Sequence, residues 1–137
     1  MIMEIKYQTN LLKITSEQLS DFCVGWKDPI SGEDMYRILE RSYRFVLAKD
    51  GDKVVGFINS LSDGLKFAFI PMLEVLPDYK NNGIGSKLLS LLLNELKNIQ
   101  NIDLTCDENL QSFYGKFGML KSKGMVFRKY LTPKEVE

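Results

Sequence analysis

The sequence predicts an α/β domain built on a mixed sheet, and three observations carry that reading. Residues 44–49 and 53–61 are strand-like runs joined by Asp50-Gly51-Asp52, the signature of an antiparallel hairpin. The run from Leu73 to Leu76 enters a polar turn with two glycines, then a leucine-rich helix, then a short strand at 102–106. A strand–helix–strand unit of this kind sets its strands parallel. Finally, 137 residues with 45% hydrophobic and 26% charged content suit a single globular domain with its own core.

Taken in order, residues 3–8 alternate weakly and are expected to form a first strand at a sheet edge. Thr15-Ser16-Glu17-Gln18 is a capping box, expected to open a short helix through Leu19, Phe22 and Cys23 that Gly25-Trp26-Lys27-Asp28-Pro29 breaks. Ser31, with Asp34 three residues on, caps a second helix carrying Met35, Ile38 and Leu39. The hairpin follows, then the turn Ser62-Asp63-Gly64 and one continuous strand over 65–76. Pro77 ends that strand, because it has no N–H for a ladder. Asn81 or Asn82 can cap the central helix, expected over 82–98, whose Ile84, Leu88, Leu92, Leu96 and Ile99 recur at helical spacing. Asp107 is expected to cap a helix through Leu110, Phe113 and Tyr114 that Gly118 closes. Two short strands near 120–121 and 125–131 and a charged tail complete the pattern.

Composition narrows the function. Eighteen basic and eighteen acidic residues cancel, so no basic field calls for nucleic acid or an anionic membrane. A small-molecule or peptide partner fits better, with the protein a monomer or homodimer. Residues 1–6 lack the apolar run of a signal peptide, and no stretch has the length of a membrane span. A cytoplasmic location is the expectation. Cys23 and Cys106 stand alone, with no histidine in the chain, so neither a disulfide scaffold nor a metal site is expected. Acid–base chemistry must come from carboxylates, Tyr, Lys, Cys or water.

The turn Lys80-Asn81-Asn82-Gly83-Ile84-Gly85-Ser86 is the most informative stretch. Two glycines keep the helix start clear of side chains and expose unpaired N–H groups at the positive end of the helix dipole. A phosphate or pyrophosphate suits such a site, although an ordinary strand–helix connection has the same look. Two phosphate motifs are excluded. Gly85-Ser86-Lys87 reverses the Walker order, and Leu88 stands where a dinucleotide fingerprint needs a small residue.

With Val75 and Pro77 upstream, this turn resembles the acetyl-CoA loop of the GNAT superfamily of N-acetyltransferases, Arg/Gln-x-x-Gly-x-Gly/Ala after a Val-x-Pro strand end. Lys80 keeps the charge of the usual Arg but loses its planar fork. Residues 107–119 resemble the second GNAT signature, Asn-x-x-Ala-x-x-Leu-Tyr-x-x-x-Gly-Phe. Phe113, Tyr114, Gly118 and Met119 fall in register, while Asp107 replaces the usual Asn and Leu110 a small residue. The resemblance implies a single-domain fold with a mixed, mostly antiparallel twisted sheet and helices on both faces. It implies acetyl-CoA as co-substrate, without a metal, and direct transfer to an amine in a ternary complex. Leu73 and Val75 would offer backbone hydrogen bonds to the pantetheine arm, and Lys80, Asn81, Asn82, Gly83, Ile84, Gly85 and Ser86 would cradle the pyrophosphate. Asp107 would lie at the coenzyme if that position touches it, and is otherwise a helix cap. Tyr114 inherits the role of proton donor to the leaving thiolate.

Such a transfer needs a neutral amine, a polarised thioester carbonyl and a protonated leaving sulfur. A thiol of pKa about 8.5 leaves easily, so a weak acid such as Tyr suffices. The base is less defined. Unbroken strand alternation over 67–76 puts Glu74 on one face with Ala68, Ile70, Met72 and Leu76, a lone carboxylate that is either paired or raised in pKa. Glu74 is the candidate base, with a buried ion pair the competing reading, and Asp63 and Asp103 are lesser candidates. Phe22, Trp26 and Tyr43 lie in or beside the helices that wall the acceptor site in this superfamily, and core packing is their alternative role. An aromatic pocket of low charge suits an amine with an apolar body. A GNAT fold that holds acyl-CoA without transferring anything is the alternative function, and a structural domain binding no cofactor is a third.

Overall fold

The computed structural model describes residues 4–130. They form two compact units, one up to Leu104 and one from Thr105 onward.

The first unit holds strands β1 (Ile5–Gln8), β2 (Arg44–Asp50), β3 (Lys53–Ser62), β4 (Phe67–Phe69), β5 (Leu73–Val75) and β6 (Asn101–Asp103). Their order is β1-β2-β3-β4-β6, with β5 also paired to β3. Only the β4–β6 pairing is parallel. The sheet is therefore mixed and mostly antiparallel, with β1 at its edge. Met3, included in the expected first strand, lies outside the described residues.

Helices cover both faces. In α1 (Gly32–Arg41) the Ser31 hydroxyl accepts the Asp34 N–H at 3.1 Å, the cap read from sequence. In α2 (Ile84–Glu95), Ile84, Leu88 and Leu92 are buried, and Leu96 and Ile99 continue the stripe beyond its end. A Cβ on Gly56 of β3 would meet Leu88 Cδ1 at 3.2 Å and Ile84 Cγ2 at 3.4 Å, so α2 lies on that face. On the opposite face Phe57 meets Phe22 edge-on, with centroids 5.0 Å apart. There Asn59 Nδ2 also donates to Ser42 Oγ (3.1 Å), just past the end of α1.

Four expectations are corrected. The first helix is a single 3₁₀ turn, Ser16–Leu19. Gln18 Oε1 accepts the Thr15 N–H at 2.7 Å, and its Nε2 donates to the Asp52 carbonyl. No α-helix continues from it, because Cys23 takes a left-handed backbone (φ 63°). The central helix begins at Ile84, behind a left-handed Gly83 (φ 78°) rather than an Asn cap. Residues 119–130 contain no strand, leaving Leu120, Met125 and Phe127 exposed. Leu131 and the charged tail lie outside the described residues.

The fourth correction divides the strand expected over 65–76. Leu61 of β3 is level with Phe69, whereas Phe57 is level with Glu74, and the Asn59 N–H bonds to the Met72 carbonyl. Two steps along β3 thus match three steps along its partner, which is a β-bulge at residues 70–72. The extra residue reverses which side chains face which way. Ala68 and Ile70 are buried and share the α2 face with Val75. Phe67 and Phe69, both exposed, share Glu74's face with Leu61.

In the second unit Asp107 occupies the cap position of a 3₁₀ turn, Glu108–Leu110, without a side-chain capping bond. The turn leads into α3 (Gln111–Gly115). Phe117 and Gly118 N–H groups bond back to Tyr114 and Gly115 carbonyls at 3.0 Å each, and Gly118 (φ 87°) ends the turn.

The start of α1 rests directly on the 3₁₀ turn. A Cβ at Gly32 would fall 2.2 Å from the Ser16 carbonyl oxygen, a backbone atom that cannot swing aside. Gly32→Ala is therefore expected to destabilise the fold by roughly 1–3 kcal/mol despite its better helix propensity, measured by urea unfolding.

Candidate active site

The loop between β5 and α2 is built almost entirely from backbone. Leu76 donates the last ladder bond to Val55 (2.8 Å), and Pro77 then opens a 3₁₀ turn, Pro77–Tyr79. Asn81 and Gly83 both take left-handed conformations (φ 65° and 78°). No side chain caps α2, and its first intrahelical bond runs from Lys87 N–H to the Gly83 carbonyl (3.0 Å). Nothing lies within 4 Å of where a Gly83 Cβ would stand. Ile84, Gly85 and Ser86 thus begin a helix whose N–H groups have no acceptor in the helix itself. Lys80 and Ser86 are exposed. Asn82 does not cap the helix; its Nδ2 donates to the Tyr79 and Lys80 carbonyls (3.2 and 3.0 Å), bracing the loop from inside. This open set of backbone donors fits a pyrophosphate.

Sequence reasoning missed what holds this loop in place. Tyr79 Oη donates to Asp50 Oδ2 at 2.6 Å, with Lys53 Nζ 5.6 Å from the ring centre. The phenol pKa is raised, chiefly by that bond and then by burial and by the charges of Asp50 and Asp78. The loop is tied to the β2–β3 hairpin 29 residues away. No local pattern signals such a pair.

The bulge gives β5 a free edge. Asn59 to Met72 and Leu76 to Val55 are bonded pairs, so by antiparallel alternation Glu74 turns its backbone groups to β3. Leu73 and Val75 turn theirs the other way. The β4–β6 ladder ends at Phe69–Asp103, with one further bond from Ile70 N–H to the Asp103 carbonyl (2.9 Å). The outward N–H and C=O groups of Leu73 and Val75 can accept an extended, amide-bearing ligand as an added strand would be accepted.

On the face opposite α2, both carboxylate oxygens of Glu74 accept the Cys23 backbone N–H (3.2 and 3.0 Å). Cys23 is 1% exposed, and its thiol is pushed up to about 11 by burial, by the Glu74 charge and by a hydrogen bond to it. Trp26 N–H closes the turn on the Cys23 carbonyl (3.2 Å) and its side chain is 48% exposed. Phe22 is buried against Phe57, a core position. Tyr43 lies elsewhere in the contact network, under the Arg44 guanidinium (4.4 Å) and 3.4 Å from where a Gly64 Cβ would stand. Asp63 Oδ1 accepts the N–H groups of Leu65, Lys66 and Phe67 (2.8, 2.9 and 3.2 Å), which lower its pKa. Asp63 is therefore a turn-former and a poor base.

In the second unit Tyr114 is half-buried, edge-on to Phe113 (5.0 Å). Its pKa is raised, first by burial and then by the charge Cys106 can carry. The phenol keeps its proton through neutral pH, as a proton donor must.

The model of the acetyltransferase (GNAT) family matches residues 11–119. A solved structure from Deinococcus radiodurans R1, provisionally assigned as an acetyltransferase, is 40% identical with a TM-score of 0.89, covering 92% of this chain and 89% of that one. A GNAT-family acetyltransferase from Streptococcus pneumoniae TIGR4 is 30% identical with a TM-score of 0.71, covering 95% and 100%. Glucosamine-6-phosphate N-acetyltransferase from Arabidopsis thaliana, 16% identical with a TM-score of 0.70 over 93% and 100%, shares the fold alone. No curated protein matches the sequence.

Removing the Tyr79 hydroxyl should loosen the loop without emptying it of donors. Should the loop cradle the pyrophosphate of CoA, Tyr79→Phe is expected to weaken CoA binding about fivefold, the equivalent of about 1 kcal/mol, measured by calorimetric titration, and Asp50→Asn should reproduce part of the loss.

Proposed function

Because the chain belongs to the GNAT acetyltransferase family, we propose that it moves an acetyl group from acetyl-CoA to a primary amine by direct transfer between two bound substrates. The observation that carries this reading is the side-chain-free start of α2 beside the outward backbone edge of β5. When bound, acetyl-CoA supplies an acetyl group activated as a thioester. The N–H groups of the 83–86 turn bind its pyrophosphate, with Lys80 adding charge, and Leu73 and Val75 bond to the amides of its pantetheine arm. The reading of the chain as a single domain is supported by the family match, which runs from residue 11 to residue 119. In the transfer the amine nitrogen bonds to the acetyl carbon, the carbon–sulfur bond breaks, the nitrogen loses a proton to water, and the sulfur gains one. Tyr114 Oη donates the proton to sulfur. Trp26 supplies an aromatic wall for the body of the amine, with the buried Phe22 behind that segment, while Tyr43, stacked under Arg44 and beside Gly64, takes no part in that wall.

The direct test is acetyl-CoA with a panel of amines, read as free thiol. Thiol release with an amine that has an apolar body is the expected result. CoA binding without release for any amine would make this an acyl-CoA-binding module.

CoA should raise the melting temperature, since it binds only the folded chain. Gly83→Val should abolish that rise. The variant also loses about 1–2 kcal/mol from forcing a branched residue into a left-handed conformation, so the ligand-induced shift is the quantity to compare, not the melting temperature itself. An undiminished shift would place the pyrophosphate elsewhere.

Tyr114→Phe removes one oxygen and keeps the ring packing. The proton moves only in the transition state, so kcat and kcat/KM should fall together. The fall should be about 10²-fold, the low end for general acids, because a thiolate leaves readily. On the alkaline side the parent's activity should decline as pH rises through the raised phenol pKa, and that limb should shift in the variant.

A further inference from the structure

Cys23 is an unlikely residue for the backbone it adopts. A non-glycine side chain at φ 63° costs roughly 1–2 kcal/mol, and the conformation persists only where its surroundings demand it. Here the demand is visible. The left-handed turn brings the Cys23 N–H onto both oxygens of Glu74 (3.2 and 3.0 Å). Glu74 is held in turn by its place in β5 opposite Phe57, whose ring packs against Phe22. The Trp26 N–H then folds back onto the Cys23 carbonyl (3.2 Å). A carboxylate in the sheet therefore fixes the loop that carries the half-exposed Trp26.

We propose that Glu74 is a positioning residue whose carboxylate pins the Cys23–Trp26 turn to β5, and that through this turn it sets Trp26 as the specificity wall for the apolar body of the acceptor amine. This rests on the acetyltransferase reading. The Cys23 N–H bridges both oxygens of the carboxylate and so orients it towards the turn. The thiol's suppressed ionisation fits the same picture, because Cys23 is sealed and neutral beneath the carboxylate. Cys23 is a strut here, not an acyl carrier.

Trp26 is the chain's single tryptophan, so its fluorescence reports on the turn directly, and Cys106 provides a second thiol for comparison. In Glu74→Ala, acrylamide should quench Trp26 more strongly, and Cys23 should join Cys106 in reacting with a disulfide reagent. The amine KM should rise about tenfold, about 1.4 kcal/mol of lost binding, with a much smaller change in kcat and the same CoA-induced thermal shift. Glu74→Gln, which keeps an oxygen for the Cys23 N–H, should recover most of the KM and leave the acid limb of the pH–rate profile where it was. Cys23→Gly removes the left-handed penalty and, combined with Glu74→Ala, should restore part of the lost amine affinity. Quenching of Trp26 that Glu74→Ala leaves unaltered would overturn the proposal. So would a Glu74→Gln enzyme that loses kcat as heavily as Glu74→Ala together with its acid limb, because Glu74 would then be the base. A parent that releases no thiol with any amine would sink the acetyltransferase reading instead, on a signal separate from the fluorescence.

Discussion

A single extra residue in the strand after the hairpin governs the rest of the structure. Up to Phe69 the chain runs between β3 and β6; beyond Met72 it stays on β3 and leaves β6 behind. The bulge at 70–72 creates that divergence and with it the outward backbone of Leu73 and Val75. It also turns Glu74 onto the face where Phe22 and Cys23 pack. Without it, Glu74 would point at the leucines of α2, where a carboxylate has no partner. The loop at 77–83 and the start of α2 inherit their position from the same strand.

Function in a chain without histidine must be distributed among weaker groups, and the structure shows how each is specialised. Asp63 is spent on three N–H bonds of a turn, with its pKa lowered accordingly. Glu74 accepts the Cys23 N–H on both of its oxygens. Tyr114 keeps its proton because burial disfavours the phenolate. The proposed coenzyme site would rely on backbone donors at the start of α2, which cannot titrate, with Lys80 adding charge. The proposed chemistry thus depends on geometry more than on tuned acids and bases, as suits a thioester that is already activated.

Much of this was legible in the sequence because it is written locally. Glycine and proline marked the hairpin and the 77–85 turn, Ser31 marked its helix, and the Ile84–Leu88–Leu92–Leu96–Ile99 stripe is buried as its spacing requires. The misreadings are where tertiary contacts overrule local pattern. Period-two counting over 67–76 cannot see a bulge, because the extra residue is defined by the partner strand. The helix expected through Cys23 loses to a bond with a carboxylate 51 residues away. Asn82 has the chemistry of a cap, but its amide serves the Tyr79 and Lys80 carbonyls and leaves the cap position to Gly83. The strand character of 125–130 has no ladder to join in the described structure.

The bond between Tyr79 and Asp50 has a consequence for how variation in this protein is read. Asn82 braces the loop from inside, and the Tyr79 bond ties it to the hairpin tip at the other end. Asp50, Gly51, Asp52 and Lys53 look like ordinary surface residues whose exchange is free of cost. Yet Asp50 holds the anchor of a loop it does not belong to, so under the proposed function drift at that hairpin position would become a quiet dial on coenzyme affinity. Two relatives with identical loops can then differ in how tightly they hold the same coenzyme, and the cause will lie in a turn that no inspection of the site would include.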